Sequence, residues 1–339
     1  MGRIKRRDFL VCAAALGAAR LAHAQAPNSN QPRRIGVLGL NFAPKGDPRQ
    51  RPAYIHFRKL GWFVDENLLV ERAHADLHAE RLPALAEELV RKRVEVIWTL
   101  GSEAAVAAAR ATQSIPIVFY DPPYPVEQEL VDSLARPGRN ATGTAYITDT
   151  KFIEKNFALL REIAPSAKRL LRFREPATTA KVSGGYFDAK GQYEPAIKRL
   201  GFEWQDLEIR RLEDIETTLS ATQTRRTDAL SVSGGYLLPA KAKFIADFAL
   251  RYLLPSVSLS GLYADAGVLF SYGIAQSEQL KMALRNVEYI DRILRGANPA
   301  ELPVERPSTF EMVINAKTAR ALGIKLPQSF LVRADRVIE

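Results

Sequence analysis

From Arg33 onward the chain alternates short β-rich runs with helical patterns, and this alternation restricts the fold more than any other feature. A strand, a helix and a second strand in succession form a crossover unit, and a series of them makes a parallel sheet covered by helices on both faces. "RRIGVLGL" reads as a strand and "PAYIHFRKLGW" as an amphipathic helix closed by Gly61. "NLLVERAHA" alternates with period two, "AERLPALAEELVRKR" repeats its apolar residues at helical spacing, and "VEVIWTLG" is a buried strand. "SEAAVAAARAT" is a helix with Ser102 placed to cap it, and "IPIVFY" is the next strand. "VEQELVDSLARPG" then reads as a helix-like stretch before "NATGTAYI", so that four β-α units in succession make one doubly wound domain.

A second series follows the same rule. "TKFIEKNFALLREIAP", "GQYEPAIKRLG", "IETTLSATQTRR" and "PAKAKFIADFALRYL" are helices; "AKRLLRFRE", "FEWQDLEIR", "TDALSVSGG", "PSVSLSG" and "AGVLFSYG" are strands. A long helix, "EQLKMALRNVEYIDRILRG", comes next, and "LPVERPSTFEMVINAKTARALGIKLP" reads as a strand, a short helix and a final crossing. A chain of 339 residues is long enough for two packed cores. The expected fold class is α/β, two doubly wound Rossmann-like lobes. Open sheets of this kind bind ligands outside the carboxyl ends of their strands, so two such edges facing each other make a cleft.

The first 24 residues stand apart. "MGRIKRRDFLVCAAALGAARLAHAQ" has a basic start, a short apolar run and the small-x-small end Ala22-His23-Ala24, the form of a cleaved export signal. Arg6-Arg7 before "DFL" gives it a twin-arginine look, with general secretion as the other route. Its apolar run is too short for a permanent membrane anchor. The one cysteine, Cys12, lies inside it, so a mature chain carries no thiol and no disulfide. Four of the ten net positive charges also lie there, which leaves the rest mildly basic. The expected location is the periplasm.

"RRIGVL", "IPIVF" with "DP" after it, "SLARPG" with "NATG", "FSYG", "YIDRILRG", "LPVERPSTFEMVINAKTARALGI" and the closing "ADRVIE" together resemble the ABC transporter substrate-binding proteins of the aromatic amino acid, TrpX-like type. The resemblance runs along nearly the whole chain. It implies a periplasmic binding protein of type I, with residues 33–146 plus about 273–304 in the first lobe and 147–272 plus about 305–339 in the second, joined by a three-segment hinge. It further implies a monomer that closes on a small molecule, an amino acid or related carboxylate, and delivers it to an ABC permease with its ATPase. No cofactor is implied. A ligand sensor docking to a membrane receptor and an exported α/β enzyme are the alternative readings.

The candidate ligand-binding residues are those just past the strands. Asn41 and Phe42 follow the first strand; Gly101 and Ser102 open a helix whose amides and dipole favour an anion such as a ligand carboxylate. Asp121 ends a buried strand in "YDPPYP", where it can meet an ammonium group or hold the prolyl turn. Tyr124, in the same turn, offers an aromatic wall and departs from the smaller residue common in the family. In the second lobe Arg174 sits beside Glu175, with which it can simply pair. Ser233, Gly235 and Tyr236 follow the strand in "LSVSGGYLL", and Ser260, Tyr263 and Tyr272 lie in "SLSGLYADAG" and "LFSYG". Tyr272 either touches ligand or packs the hinge.

Other chemistries have little support. His74 and His78 in "HADLH" have a spacing that binds metal only on one helical face, whereas the periodicity puts one at a strand end and the other at a helix start. No phosphate-cradling glycine loop of Walker or dinucleotide type is present. No histidine lies near a serine nucleophile in sequence, and the arginine and lysine pairs are too dispersed for a nucleic-acid surface.

Overall fold

The structure is a computed structural model that describes residues 31–41, 46–146, 150–174, 193–209, 211, 213–221, 227–232 and 237–339. Phe42, Ser233, Gly235, Tyr236, Glu175 and the export signal lie outside these residues, as does the side chain of Arg174.

The first sheet is built from β1 (Arg33–Gly39), β2 (Leu68–His74), β3 (Val96–Leu100), β4 (Ile117–Tyr120) and β5 (Ala141–Thr144). Its order is β2-β1-β3-β4-β5, and every pair is parallel. Helices α1 (Pro52–Lys59), α2 (Leu82–Arg91) and α3 (Ser102–Ala111) supply the crossovers. Leu82, Leu89, Ala104 and Ala108 from α2 and α3 bury against Leu38, Ile97, Ile117 and Phe119 on one face. On the other face Phe57 of α1 packs with Ile35, Val96, Trp98 and Val118. Gly143 fits β5 to β4 so closely that a Cβ there would lie 2.0 Å from the Phe119 carbonyl oxygen.

The fourth β-α unit departs from expectation. "VEQELVDSL" forms successive turns rather than a helix. Leu130 donates its amide to the Pro125 carbonyl, Glu129 donates to Val126, and Glu129 adopts φ 58°, which breaks any continuing helix. Pro122, Pro123 and Pro125 also remove the donors a helical start could use. The apolar residues of the stretch still do their part, since Leu130 and Val131 are buried in the first core.

The second sheet contains β6 (Arg169–Arg174), β7 (Glu203–Glu208), β8 (Ala229–Val232), β9 (Ser256–Ser258), β10 (Phe270–Ile274), β11 (Phe310–Asn315) and β12 (Arg336–Ile338). Its order is β12-β11-β10-β9-β8-β6-β7, parallel except between β10 and β11. Helices α4 (Thr150–Ile163), α5 (Tyr193–Arg199), α6 (Asp214–Ala221) and α7 (Ala242–Arg251) match the periodicity. One short helix, α8 (Gly261–Ala266), went unread because its six residues are too few to show a period. Phe157 and Leu160 of α4 pack on Leu170 and Phe270, while Ile245 and Ala249 of α7 pack on Phe173, Leu230 and Val232 behind the sheet.

Helix α9 (Gln276–Leu294) returns to the first sheet, where Val287, Ile290 and Ile293 complete the core beneath Phe57 and Trp98. The sheet therefore takes its last covering helix from the far end of the chain. After β11 come α10 (Ala316–Ala321), α11 (Gln328–Leu331) and the edge strand β12, so the sequence ends on a strand parallel to β11 and not on a crossing.

The passages between the sheets are laced together. Ala145 donates its amide to the Glu305 carbonyl at 2.9 Å, Glu305 donates to Gly143 at 3.1 Å, and Ala275 donates to Thr309 at 3.1 Å. The Glu305 carboxylate accepts from Tyr289 Oη and Arg285 Nε, each at 3.0 Å. Glu278, 6% exposed in the first turn of α9, accepts from the Ser308 amide at 3.0 Å and its hydroxyl at 3.2 Å. These bonds hold its carboxyl below the usual range.

Candidate functional site

The carboxyl ends of β1, β3 and β4 are adjacent in the first sheet, and they bring Asn41, Gly101, Ser102 and Asp121 to one edge. Gly101 donates its amide to the Tyr120 carbonyl at 2.9 Å, which ties the β3 turn to the β4 turn. It also adopts φ 95°, and it, not Ser102, is the helix cap. Ser102 is the first helical residue, buried at 4% exposure, and its hydroxyl accepts from Gln128 Nε2 at 2.5 Å. The turns that replaced the expected helix thus hold the hydroxyl at the start of α3. Glu103, a carboxylate beside a prospective anion site, lines an outer groove with Leu82, Val106, Ala107 and Arg110 instead of the edge.

Asn41 carries a buried Oδ1 that has no hydrogen-bond partner among the described residues. An acceptor left so costs about 1–3 kcal/mol, which a ligand or water donor would recover. The Asn41 carbonyl accepts the His74 ring at 3.2 Å, and burial keeps the imidazole's proton affinity below its ordinary value. His78 turns away to the exposed Glu80, 3.1 Å distant, so the two histidines share no site.

Asp121 stands at φ 73°, a left-handed backbone that aspartate tolerates better than most residues. Its amide donates to Thr144 at 2.8 Å, and the Tyr146 amide donates to Pro122 at 3.2 Å, so the turn is fastened to β5 and to the first passage. The residue's surface is partly exposed, yet protein encloses the carboxyl group and burial pushes it up to about 8. The phenols of Tyr120 and Tyr146 stand in its field and are themselves raised by burial. Sequence reading singled out neither tyrosine. Tyr146 ends the quoted strand, and its ring packs against the second sheet's core.

Tyr124 is 6% exposed, and its carbonyl accepts the Gln128 amide.

On the second sheet β10, β9, β8 and β6 are adjacent, and they carry or adjoin Arg174, Ser260, Tyr263 and Tyr272. Arg174 closes β6 in register with Glu208. Ser260 precedes α8 and is partly exposed. Tyr263 is 1% exposed and packs with Ile245 and Val268. Tyr272 is partly buried, with its ring 5.4 Å from Phe152 and 6.1 Å from Phe310, and Lys155 Nζ lies 4.0 Å above it. That cluster stands at the passages between the sheets.

Among the described residues no group of three or more His, Cys, Asp or Glu is placed to hold a metal ion, and no helix is long and apolar enough to cross a membrane.

Comparisons with known proteins agree with this architecture. The family model described as ABC transporter substrate binding protein matches residues 59–338. A tyrosine-binding protein of Clostridioides difficile (strain R20291) is 23% identical over 299 residues, covering 88% of this chain and 83% of that protein. The ABC domain in complex with L-Trp from Streptococcus pneumonia superimposes with a TM-score of 0.74 at 20% identity, covering 91% of this chain and all of the other. A conserved domain protein from Vibrio cholerae reaches 0.77 at 21% identity over the same shares. The chain belongs to the ABC transporter substrate binding protein family, and its fold is that of the type I periplasmic binding proteins.

Proposed function

We propose that this chain is the exported, periplasmic solute receptor of an ABC importer and that its solute is an aromatic amino acid. The observation that carries the reading is the first sheet's edge, where Asn41, Ser102 and Asp121 follow neighbouring strands in a chain that builds a second sheet as well. A zwitterion suits these groups: its ammonium meets Asp121, and its carboxylate meets the amides and dipole at the start of α3. Tyr272 and its neighbours supply an apolar wall. The tyrosine-binding relative and the tryptophan-bound structure favour an aromatic side chain. In this reading residues 33–146 with about 273–304 move as one lobe against 147–272 with 305–339. The protein acts as a monomer that delivers its solute to a permease and turns nothing over.

Thermal-shift measurement on ligand-stripped protein against the amino acids and small carboxylates tests this. A solute at about 100 times its Kd adds about 2.7 kcal/mol. Response to tyrosine, tryptophan or phenylalanine is expected. Silence toward all three with a response to another class overturns the solute assignment.

A further inference from the structure

We infer that Leu77 is a preformed latch by which the first lobe grips the second when the molecule closes. The loop after β2 places Asp76 and Leu77 at φ 52° and 68°, two consecutive left-handed residues that are not glycine. Such backbone persists only where its surroundings determine it. Here they all belong to the first lobe. Ala75 donates its amide to Gly39 at 2.9 Å, Leu77 donates to Leu40 at 2.7 Å, and His78 donates back to Ala75 at 2.9 Å. Arg81 braces the turn from below, donating to the Ala75 carbonyl at 3.2 Å and to Asp76 Oδ2 at 2.8 Å. The Leu77 side chain nevertheless packs against the second lobe's core, the cluster formed by residues such as Phe173, Leu237, Leu238 and Ile245. The stretch "HADLH" is therefore more than a solvated turn; it holds one leucine across the gap.

Because these hydrogen bonds all lie within one lobe, opening the cleft leaves the loop's shape unchanged and exposes the leucine. Closing removes part of its surface from water. The contact favours the closed form whatever the solute, and it slows release because release must first break it. Leu77 is thus a positioning residue, acting on the lobe equilibrium without touching the solute. The inference rests on the reading of the molecule as a receptor that closes.

Leu77→Asn is the informative variant, since asparagine accepts left-handed backbone and lacks the apolar side chain. Leu253→Asn is its control: Leu253 is also left-handed, at φ 53°, but is 66% exposed at the end of α7 away from the sheet's carboxyl edge. Spin labels on cysteines introduced at Gln113 and Ala158, exposed residues of the two lobes, in a Cys12→Ser background, report the closed fraction. Leu77→Asn should lower the ratio of closed to open molecules about tenfold and raise the solute off-rate by a similar factor. Leu253→Asn should change neither. A Leu77→Asn protein whose label distances and off-rate equal those of the parent overturns the latch. Should no aromatic amino acid bind, the solute assignment fails, and the label distances of the free proteins still decide the latch. An all-open distance in both free proteins would then also overturn it.

Discussion

The two sheets end in different ways. In the first, every strand is parallel and the candidate groups stand one residue or two past the strands, with Gly101 and Asp121 fastened by backbone hydrogen bonds to the neighbouring strand or turn. In the second, an antiparallel pair interrupts the series, Tyr272 lies within a strand rather than after it, and Tyr263 has withdrawn into the core. The difference separates two tasks. On the proposed reading the first edge, with its titratable carboxyl, hydroxyl and amide groups, orients a polar solute. On the same reading the second, with the aromatic cluster of Tyr272, Phe152 and Phe310, couples the solute to lobe movement.

The largest expected effect breaks that comparison at its centre. Asp121→Ala should weaken an ammonium-bearing solute by at least 100-fold, since truncating one partner of an enclosed charge pair costs about 2–5 kcal/mol. The ligand-free melting temperature should change little. An equal loss of ligand-free stability would show that the carboxylate merely holds its turn, and charge would cease to distinguish the first edge. Tyr272→Ala should do the converse. Removing a partly buried ring packed against Phe152 and Phe310 costs about 1–3 kcal/mol of stability, less than a fully buried aromatic would. Tyr272→Phe should keep that stability, and isothermal titration of both variants tells packing from solute contact.

The proton bound at Asp121 sharpens the contrast further. Its folded pKa, about 8, lies above its unfolded value, so the folded protein holds a proton that the unfolded chain has released. Ligand-free stability should therefore fall as pH rises between about 4 and 8, and Asp121→Asn should flatten that slope. Affinity for an ammonium solute should rise over roughly pH 6 to 8, because binding needs the ionised carboxylate. Denaturation and titration across that range check both signs. Glu278 at the hinge has the opposite sign: its pKa is depressed, so its contribution is present above its ordinary value and is lost as pH falls through the folded one. Glu278→Gln should cost about 1–2 kcal/mol at neutral pH and reduce the acid sensitivity, measured by chemical denaturation.

Much of this was legible in the sequence, for reasons that also explain what was not. Period-two and helical spacing marked nearly every element of both lobes, because each buries one face against a sheet. Asn41, Ser102 and Asp121 could be named because parallel strands present their ends at one edge. The stretch after Pro125 misled because its apolar spacing mimics a helix, while the left-handed Glu129 is a conformation no residue type announces. The hinge carboxylates Glu278 and Glu305 were invisible, since their partners are distant or arrive from other segments of chain.

The smallest effect concerns the bond between Gln128 and Ser102, and it tests whether the first edge is truly fixed. If the turns after Asp121 only cover the sheet, Gln128→Ala should alter stability alone. If they hold the Ser102 hydroxyl where a solute carboxylate meets the start of α3, the loosened hydroxyl should weaken binding about five- to tenfold, the worth of about one neutral hydrogen bond. Ser102→Ala should then give a loss of the same size, and the double variant should lose no more than either single one. Additive losses would mean that the two side chains act separately. The first edge would then be a set of independent contacts, closer in kind to the second than its hydrogen bonding suggests.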